Sequence, residues 1–246
     1  MTPSSNKVAI VTGASRGIGA AVARHLARDG FAVIVNYAGN AKAAAEVVGE
    51  IEAGGGHAIA VQADVSDPLA VKHLFDSAEA AYDGVDVLAN NAGVMQLAPV
   101  AEMDDVAFDQ MIAVNLKGSF NGMREAAKRL RHGGCIINFS SSVVGLKLPA
   151  YGVYAATKAG VEALTHILAK ELGPKNITVN AVAPGPVATE LFLDGKDQAT
   201  LDRIRQMIPL GRLGEVDDIA GVVSLLASPG SNWINGQVIR ANGGMI

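Results

Sequence analysis

Two side chains one helical turn apart carry the most chemistry in this sequence. They are Tyr154 and Lys158, in the run Val153-Tyr154-Ala155-Ala156-Thr157-Lys158. A phenol titrates near ~10, so at neutral pH it is a poor acid and a poor base. A residue four positions on shares the same helix face, and an ammonium there favours phenolate and lowers the phenol's pKa. The pair therefore reads as a hydroxyl that gives or takes a proton near neutral pH, as general acid–base chemistry requires. Tyr151 lacks this partner, having Ala155 four positions on. Alone, Tyr-x-x-x-Lys describes equally a half-buried Tyr beside a solvated Lys, so the rest of the chain must decide.

A second segment points to phosphate. An apolar run at 8–11 enters Thr12-Gly13-Ala14-Ser15-Arg16-Gly17-Ile18-Gly19, and a helical pattern follows. Glycines let a backbone turn tightly and approach a ligand closely. The new helix directs free N–H groups and its positive dipole end at an anion. Gly13, Ser15, Arg16, Gly17, Ile18 and Gly19 are thus candidate contacts to a pyrophosphate. The spacing is G-x-x-x-G-x-G rather than G-x-G-x-x-G, and a plain strand-to-helix turn is the alternative. Gly13 to Gly17 also matches G-x-S-x-G, the nucleophile elbow of a hydrolase with Ser15 as nucleophile. An elbow needs an oxyanion loop from an earlier strand, and too little chain precedes Ser15. It also needs a later His on a strand-end loop, whereas the last histidine, His166, falls within a helical pattern.

Short β-branched runs at 8–11, 32–35, 58–62, 85–89, 135–139, 178–182 and 237–240 alternate with helical patterns at 17–29, 41–53, 68–82, 104–130, 154–172 and 216–227. Buried runs alternating with helices indicate βαβ units and a parallel sheet. The expectation is a single α/β domain over 1–246, a doubly wound, Rossmann-like parallel sheet of seven strands with helices on both faces. Ligands of such sheets bind beyond the carboxyl ends of the strands, where both segments above fall.

Composition narrows the partners. Half of the 246 residues are apolar and the net charge is −4, with no basic tract. Nucleic acid is therefore not an expected partner. No apolar run reaches the ~18 residues of a membrane span. The opening Met1-Thr2-Pro3-Ser4-Ser5-Asn6-Lys7 lacks the apolar stretch of an export signal. Cys135 is the only cysteine, which fits a reducing compartment, so a cytoplasmic location is expected. The five histidines show no metal-ligand spacing, and no metal is expected.

Several further segments occur in a familiar order. Thr12–Gly19 is followed by Asn90-Asn91-Ala92-Gly93, a serine-rich strand end, Tyr154-x-x-x-Lys158 and Pro184-Gly185-Pro186-Val187-Ala188-Thr189. Gly211-Arg212-Leu213-Gly214-Glu215 and Asn242-Gly243-Gly244 complete the set. Over nearly its whole length the chain resembles the short-chain dehydrogenase/reductase family, nearest in look to its 3-oxoacyl-acyl-carrier-protein reductases. The resemblance implies hydride transfer between a nicotinamide cofactor and a ketone or secondary alcohol, with Asn, Ser, Tyr and Lys as the catalytic set. Tyr154 maps as the acid–base. Lys158 maps as the group that tunes it and binds the nicotinamide ribose. Asn115 maps as the holder of a water linking Lys158 to solvent; the alternative is a helix Asn bonded locally. Family spacing selects Ser141, three past Asn138 and thirteen before Tyr154, to stabilise the substrate oxygen; alignment on Val143-Val144-Gly145 selects Ser142 instead. Asn91, Ala92 and Gly93 are expected beside the cofactor, Asp64 and Val65 at the adenine, and Pro184, Gly185, Val187 and Thr189 at the nicotinamide. Relatives commonly form tetramers, so a homotetramer is expected.

An acidic residue at the end of the second strand would bind the ribose 2′-hydroxyl of NAD. Here that end reads Val35-Asn36-Tyr37-Ala38, and no acid follows until Glu46. The absence permits a 2′-phosphate, to which Arg16 can offer a guanidinium and Asn36 a hydrogen bond; NADP(H) is expected over NAD(H). Residues 189–210 carry Leu191, Phe192, Leu193, Leu201, Ile204 and Met207, as an apolar substrate lid or as the core of a helix pair. Val94, Met95, Leu146, Leu148 and Tyr151 are further candidates for the pocket wall. Lys128, Arg129 and Arg131 are a candidate landing for an acidic carrier protein or a solvated helix end. Outside catalysis, the same fold could serve a non-catalytic NADP-binding regulator.

Overall fold

The computed structural model describes residues 7–246, and the reading of the opening segment falls on 1–6, outside the described residues. Seven parallel strands form one sheet in the order β3-β2-β1-β4-β5-β6-β7. They are β1 Val8–Val11, β2 Ala32–Tyr37, β3 His57–Gln62, β4 Val85–Asn90, β5 Leu130–Phe139, β6 Thr178–Pro184 and β7 Val238–Ala241. The order reverses between β1 and β4: Ile10 of β1 pairs with Ile34 of β2 on one side and with Leu88 of β4 on the other. This switch point opens the crevice that the glycine turn enters.

Helices cover both faces. On one lie α1 Gly17–Arg28, α2 Ala41–Ala53 and the helix Val216–Ala227, whose apolar sides pack with Val11, Val33, Val35 and Ile137. On the other, α3 Pro68–Tyr82 and the long helices of the chain's second half pack with Val8, Ile10, Ile34 and Leu88. Successive strand residues point to opposite faces, so strands buried on both sides read as unbroken apolar runs. Local signals set several helix starts. Asn40 accepts from Ala43 N and opens α2, and Asp67 accepts from Leu69 N just before Pro68 opens α3. Side-chain caps of this kind satisfy N–H groups that a helix start leaves free.

The helix expected over 104–130 is broken. It comprises α4 Asp105–Met111, a π-helical turn Ile112–Gly118 and α5 Ser119–Arg129, and Leu130 already belongs to β5. Two contacts explain the widened turn. A Cβ on Gly118 would lie 2.6 Å from Val65 Cγ2, so only glycine fits against α3's approach. Ser119 Oγ donates to the Asn115 carbonyl at 2.7 Å, occupying an acceptor of the widened turn. π-turns inside helices are frequent at functional sites. The remaining elements are α6 Val143–Leu146, α7 Gly152–Leu172, α8 Glu190–Leu193, α9 Gln198–Gln206 and α10 Val216–Ala227. Among the described residues, no helix is long and apolar enough to cross a membrane, and no His, Cys, Asp and Glu cluster could hold a metal.

Candidate active site

The glycine turn joins β1 to α1 and is held from two sides. Gly13 and Gly17 have φ of 62° and 54°, the left-handed region that favours glycine. Asn91 Nδ2 donates to the carbonyls of Thr12 at 2.9 Å and Gly13 at 3.1 Å. Ala92 N donates to Thr12 Oγ1 at 3.0 Å. A Cβ on Gly19 would lie 2.3 Å from Gly13 O and 2.5 Å from Asn91 Nδ2, so no other residue fits there. α1 starts with neither a side-chain cap nor an acidic residue in its first turn. Its leading N–H groups and positive dipole end thus stay available to an anion. This cradle fits the pyrophosphate of a dinucleotide. Thr12, whose hydroxyl ties the turn to Ala92, went unassigned in the sequence, where nothing but its place in the run distinguishes it.

The acid–base pair lies beyond the carboxyl end of β5. Tyr154 is on the first turn of α7 and lines the same cavity as Ser141 and Lys158. Burial pushes the Tyr154 phenol up to about 12, with the neighbouring Ser141 hydroxyl acting in the opposite direction. Lys158 is only 4% exposed, and its Nζ donates to Phe139 O at 2.9 Å. Burial pulls its pKa down to about 8. This corrects the expectation that Lys158 brings the phenol towards neutrality. Both groups are dehydrated, and dehydration disfavours whichever form is charged. The ammonium is directed at a carbonyl and stands 5.7 Å from the centre of the Tyr154 ring.

The three serines separate cleanly. Ser140 Oγ donates to Glu162 Oε1 at 2.6 Å. Ser142 is buried; its Oγ donates to Ala183 O at 3.2 Å and accepts from Asn242 Nδ2 at 3.0 Å. Of the three, Ser141 alone acts on the Tyr154 phenol, lowering its pKa. Alternation along the strand end accounts for this. Asn115 is fully buried in the π-turn: Val94 N donates to its Oδ1 and its Nδ2 donates to Val94 O, both at 2.8 Å. Its Nδ2 also reaches Thr157 Oγ1 at 3.3 Å, and Thr157 Oγ1 in turn donates to Tyr154 O at 2.7 Å. Asn115 thereby links the loop after β4 to the helix that carries Tyr154 and Lys158. A Cβ on Gly93 would sit 3.4 Å from Asn115 Oδ1 and 3.6 Å from Lys158 Nζ, so glycine there keeps the backbone close to the pair.

A cavity of about 250 Å³ opens over these groups. Its floor is Ile18, Asn91, Gly93, Ser141, Tyr154 and Lys158, and Pro184, Gly185, Val187 and Thr189 form one side. The remaining wall is apolar: Met95, Leu146, Leu148, Leu191, Phe192, Ile204 and Met207, with Tyr151 among them. Met245, near the chain's end, also reaches the wall; no sequence signal singled it out. Neither α8 nor α9 contains a buried residue, so residues 189–210 do not form the core of a helix pair. Leu193, Leu201 and Val94 lie outside the wall, the last because Asn115 holds its backbone. Thr189 caps α8, its Oγ1 accepting from Phe192 N at 3.2 Å, and its methyl lies beside Gly17.

A short chain dehydrogenase from Burkholderia cenocepacia J2315, solved in complex with NADP, superposes with a TM-score of 0.92 at 37% identity, over 97% of both chains. Residues 13–246 match the family described as enoyl-(acyl carrier protein) reductase. The chain belongs to the short-chain dehydrogenase/reductase family. It is similar to an NADPH-dependent aldehyde reductase-like protein, chloroplastic, of Arabidopsis thaliana, at 44% identity over 99% of this chain and 96% of the relative. It is also similar to a 3-oxoacyl-[acyl-carrier-protein] reductase of Staphylococcus epidermidis, at 43% identity over 98% of this chain and 99% of that one. As a short-chain dehydrogenase/reductase it is an oxidoreductase of the C=O/CH–OH pair.

Within this dehydrogenase/reductase several expected contacts take other partners. Asn36 is turned inward: its Oδ1 accepts from Gly13 N at 3.1 Å and its Nδ2 donates to Ala63 O at 3.0 Å. It shapes the glycine turn instead of offering a donor to a 2′-phosphate. Arg16 is exposed and pairs with Glu190 on α8 at 2.9 Å. Asp64 accepts from Ser66 N at 2.9 Å, the turn role weighed for it, and Val65 is buried beneath Gly118. The basic end of α5 is neutralised. Arg129 pairs with Asp76 at 2.8 Å and with Glu79 at 2.5 Å, Lys128 with Glu125 at 3.0 Å, and Arg131 with Asp86 at 3.0 Å.

Proposed function

We propose that this short-chain dehydrogenase/reductase uses NADP(H), in preference to NAD(H), to interconvert a partly apolar ketone and its secondary alcohol. The observation that carries the reading is the convergence of Ser141, Tyr154 and Lys158 on one apolar cavity, beside an uncapped helix start. Gly13, Ser15, Gly17, Ile18 and Gly19 would hold the pyrophosphate, Arg16 the 2′-phosphate, Asp64 and Val65 the adenine end. Asn91, Ala92 and Gly93 would flank the cofactor, and Pro184, Gly185, Val187 and Thr189 would border the nicotinamide. When bound, the reduced nicotinamide supplies a hydride to the carbonyl carbon. Tyr154 gives its phenolic proton to the carbonyl oxygen, so ketone, hydride and proton make the alcohol. A phenol held near 12 by burial carries that proton at neutral pH. Ser141 donates to the same oxygen while charge develops, the stage at which fixed donors contribute most. Lys158, with Asn115 behind it, holds the ribose and returns a proton to Tyr154.

Residues 189–210 would act as the substrate lid, since Leu191, Phe192, Ile204 and Met207 face the cavity and none of α8 or α9 is buried. A 3-oxoacyl thioester is one ketone the wall would accept. Carrier-protein docking at the end of α5 lacks support, because its cations are already paired. A sugar or polyol suits the apolar wall poorly. A non-catalytic regulator would have no use for an intact Ser141, Tyr154 and Lys158. A cytoplasmic homotetramer completes the proposal. Its test is the consumption of NADPH, with NADH in parallel, across acetoacetyl thioesters, diketones, aryl ketones and keto-sugars. Turnover should favour NADPH and apolar ketones and vanish in Tyr154→Phe, which should still bind NADPH. Undiminished turnover in Tyr154→Phe removes Tyr154 from the mechanism.

A further inference from the structure

Three consecutive residues at the end of β5 are each tied to one helix. Asn138 Nδ2 donates to Thr165 Oγ1 at 2.9 Å, Phe139 O accepts from Lys158 Nζ at 2.9 Å, and Ser140 Oγ donates to Glu162 Oε1 at 2.6 Å. All three partners stand on α7. The register of the sheet stops at Phe139, opposite Val182. Beyond it, backbone bonds hold the chain on its β6 side: Ser140 N donates to Val182 O at 2.8 Å and Ser142 N to Pro184 O at 2.9 Å. On the α7 side, the Glu162 carboxylate makes the last tie before Ser141. Glu162 follows Lys158 by four residues and shares its helix face. The Lys158 ammonium is nevertheless directed at Phe139 O, and among the described residues Glu162 takes part in no ion pair. Its carboxylate is therefore not the counter-ion of Lys158. Its side-chain partner is Ser140, on another element.

We infer that Glu162 is a positioning residue: by holding Ser140 Oγ it fixes the strand end that carries both Ser141 and the carbonyl bonded by Lys158. The inference deepens the reductase reading and rests on it. The Phe139 carbonyl belongs to the peptide plane on one side of the Ser140 Cα, and the Ser141 N–H belongs to the plane on the other. A rotation about Ser140 φ or ψ therefore moves the acceptor of the lysine or the catalytic hydroxyl. Ser140 is buried, so cutting the tie leaves a dehydrated donor unsatisfied. The backbone relieves that cost by turning the hydroxyl towards another acceptor, and Ser141 turns with it. The tie acts through reach and not through charge, which two conservative replacements separate. Glu162→Gln keeps an oxygen at the same reach and removes the charge. Glu162→Asp keeps the charge and withdraws it by one methylene.

The test compares these two variants of the full chain with wild type, using NADPH and the ketone that wild type reduces best. Glu162→Gln should keep kcat within about threefold, and Glu162→Asp should lose about ten- to hundredfold, the cost of a catalytic group displaced by up to ~1 Å. KM for the ketone and Kd for NADPH should not change in either. Ser140→Ala cuts the same bond from the other end and should match Glu162→Asp; the double variant should lose no more than either alone. Should Glu162→Asp not fold, Ser140→Ala against Glu162→Gln carries the comparison. Hydrogen exchange reads the tie without turnover: the Ser140 and Ser142 amides should exchange faster in Glu162→Asp and Ser140→Ala than in wild type and Glu162→Gln. Full activity in Glu162→Asp, a large loss in Glu162→Gln, a loss confined to KM, or exchange that is the same in every variant overturns the inference. A wild type that reduces no ketone, with the exchange contrast intact, refutes the reductase and leaves the tie standing. An active wild type with an equally active Glu162→Asp does the reverse.

Discussion

Lys158→Met should make this protein more stable at neutral pH, by an amount that disappears in alkali. Burial lowers the Lys158 pKa from 10.5 to about 8, although the unfolded chain keeps the ordinary value. At neutral pH the ammonium is charged in both states, and holding it dehydrated costs about 3 kcal/mol at the usual worth of a pKa unit. Between pH 8 and 10.5 the folded protein has lost this proton while the unfolded chain still binds it. Stability of the wild type therefore rises through this window by about 1.4 kcal/mol per pH unit. Above it, both states are neutral and the cost is gone. Methionine fills similar space and does not titrate. Its introduction also leaves Phe139 O without its 2.9 Å donor, a loss of about 1–3 kcal/mol. The net gain at neutral pH is then about 0–2 kcal/mol, and the sharper readout is the change with pH. Urea unfolding of both proteins at equal protomer concentration, from pH 7 to pH 10, should show the variant's advantage falling by about 2–3 kcal/mol. Tyr154 is present in both and cancels. A difference that stays flat across this range would mean that the Lys158 ammonium is not dehydrated, and the electrostatic account of the pair would fail.

Ser141→Ala should lower kcat by about 10²–10³ with NADPH affinity retained, whereas Ser142→Ala should leave turnover in place and cost about 1 kcal/mol of stability through its lost bonds to Ala183 O and Asn242; the opposite pattern would reassign the serine. Arg16→Ala should weaken NADPH about tenfold or more relative to NADH, the worth of a charged hydrogen bond. Titration of both cofactors decides it, and equal losses would remove Arg16 from 2′-phosphate recognition.

Much of the scaffold is written locally. The helices Ala41–Ala53, Pro68–Tyr82 and Val216–Ala227 start and stop where their caps and apolar periodicity place them. The unbroken β-branched runs announce strands covered on both faces, and the glycine turn announces itself because Gly19 sits where a Cβ would strike Gly13 O. The spacing of Tyr154 and Lys158 on one helix face is likewise a property of the sequence alone. What escaped local reading depends on partners distant in the chain. The π-turn at Ile112–Gly118 exists because Gly118 meets Val65 and Asn115 meets Val94. Asn36 looks like a free donor until Val61 and Ala63 arrive on the neighbouring strand. The cations closing α5 look available until Asp76, Glu79 and Asp86 fold against them.

The sequence by itself determined which residues have the chemistry: a phenol with a lysine one turn on, a serine run at a strand end, and glycines where a backbone must approach an anion. Only the tertiary structure decided their state. It assigned Ser141 to Tyr154 and gave Ser140 and Ser142 other partners. It raised the phenol and lowered the lysine, and it gathered Leu146, Leu148, Leu191 and Phe192 from separate segments into one apolar wall. Residue type and spacing are fixed along the chain, but burial and hydrogen-bond partners come from segments brought together by folding, and those set a group's charge and what it can bind.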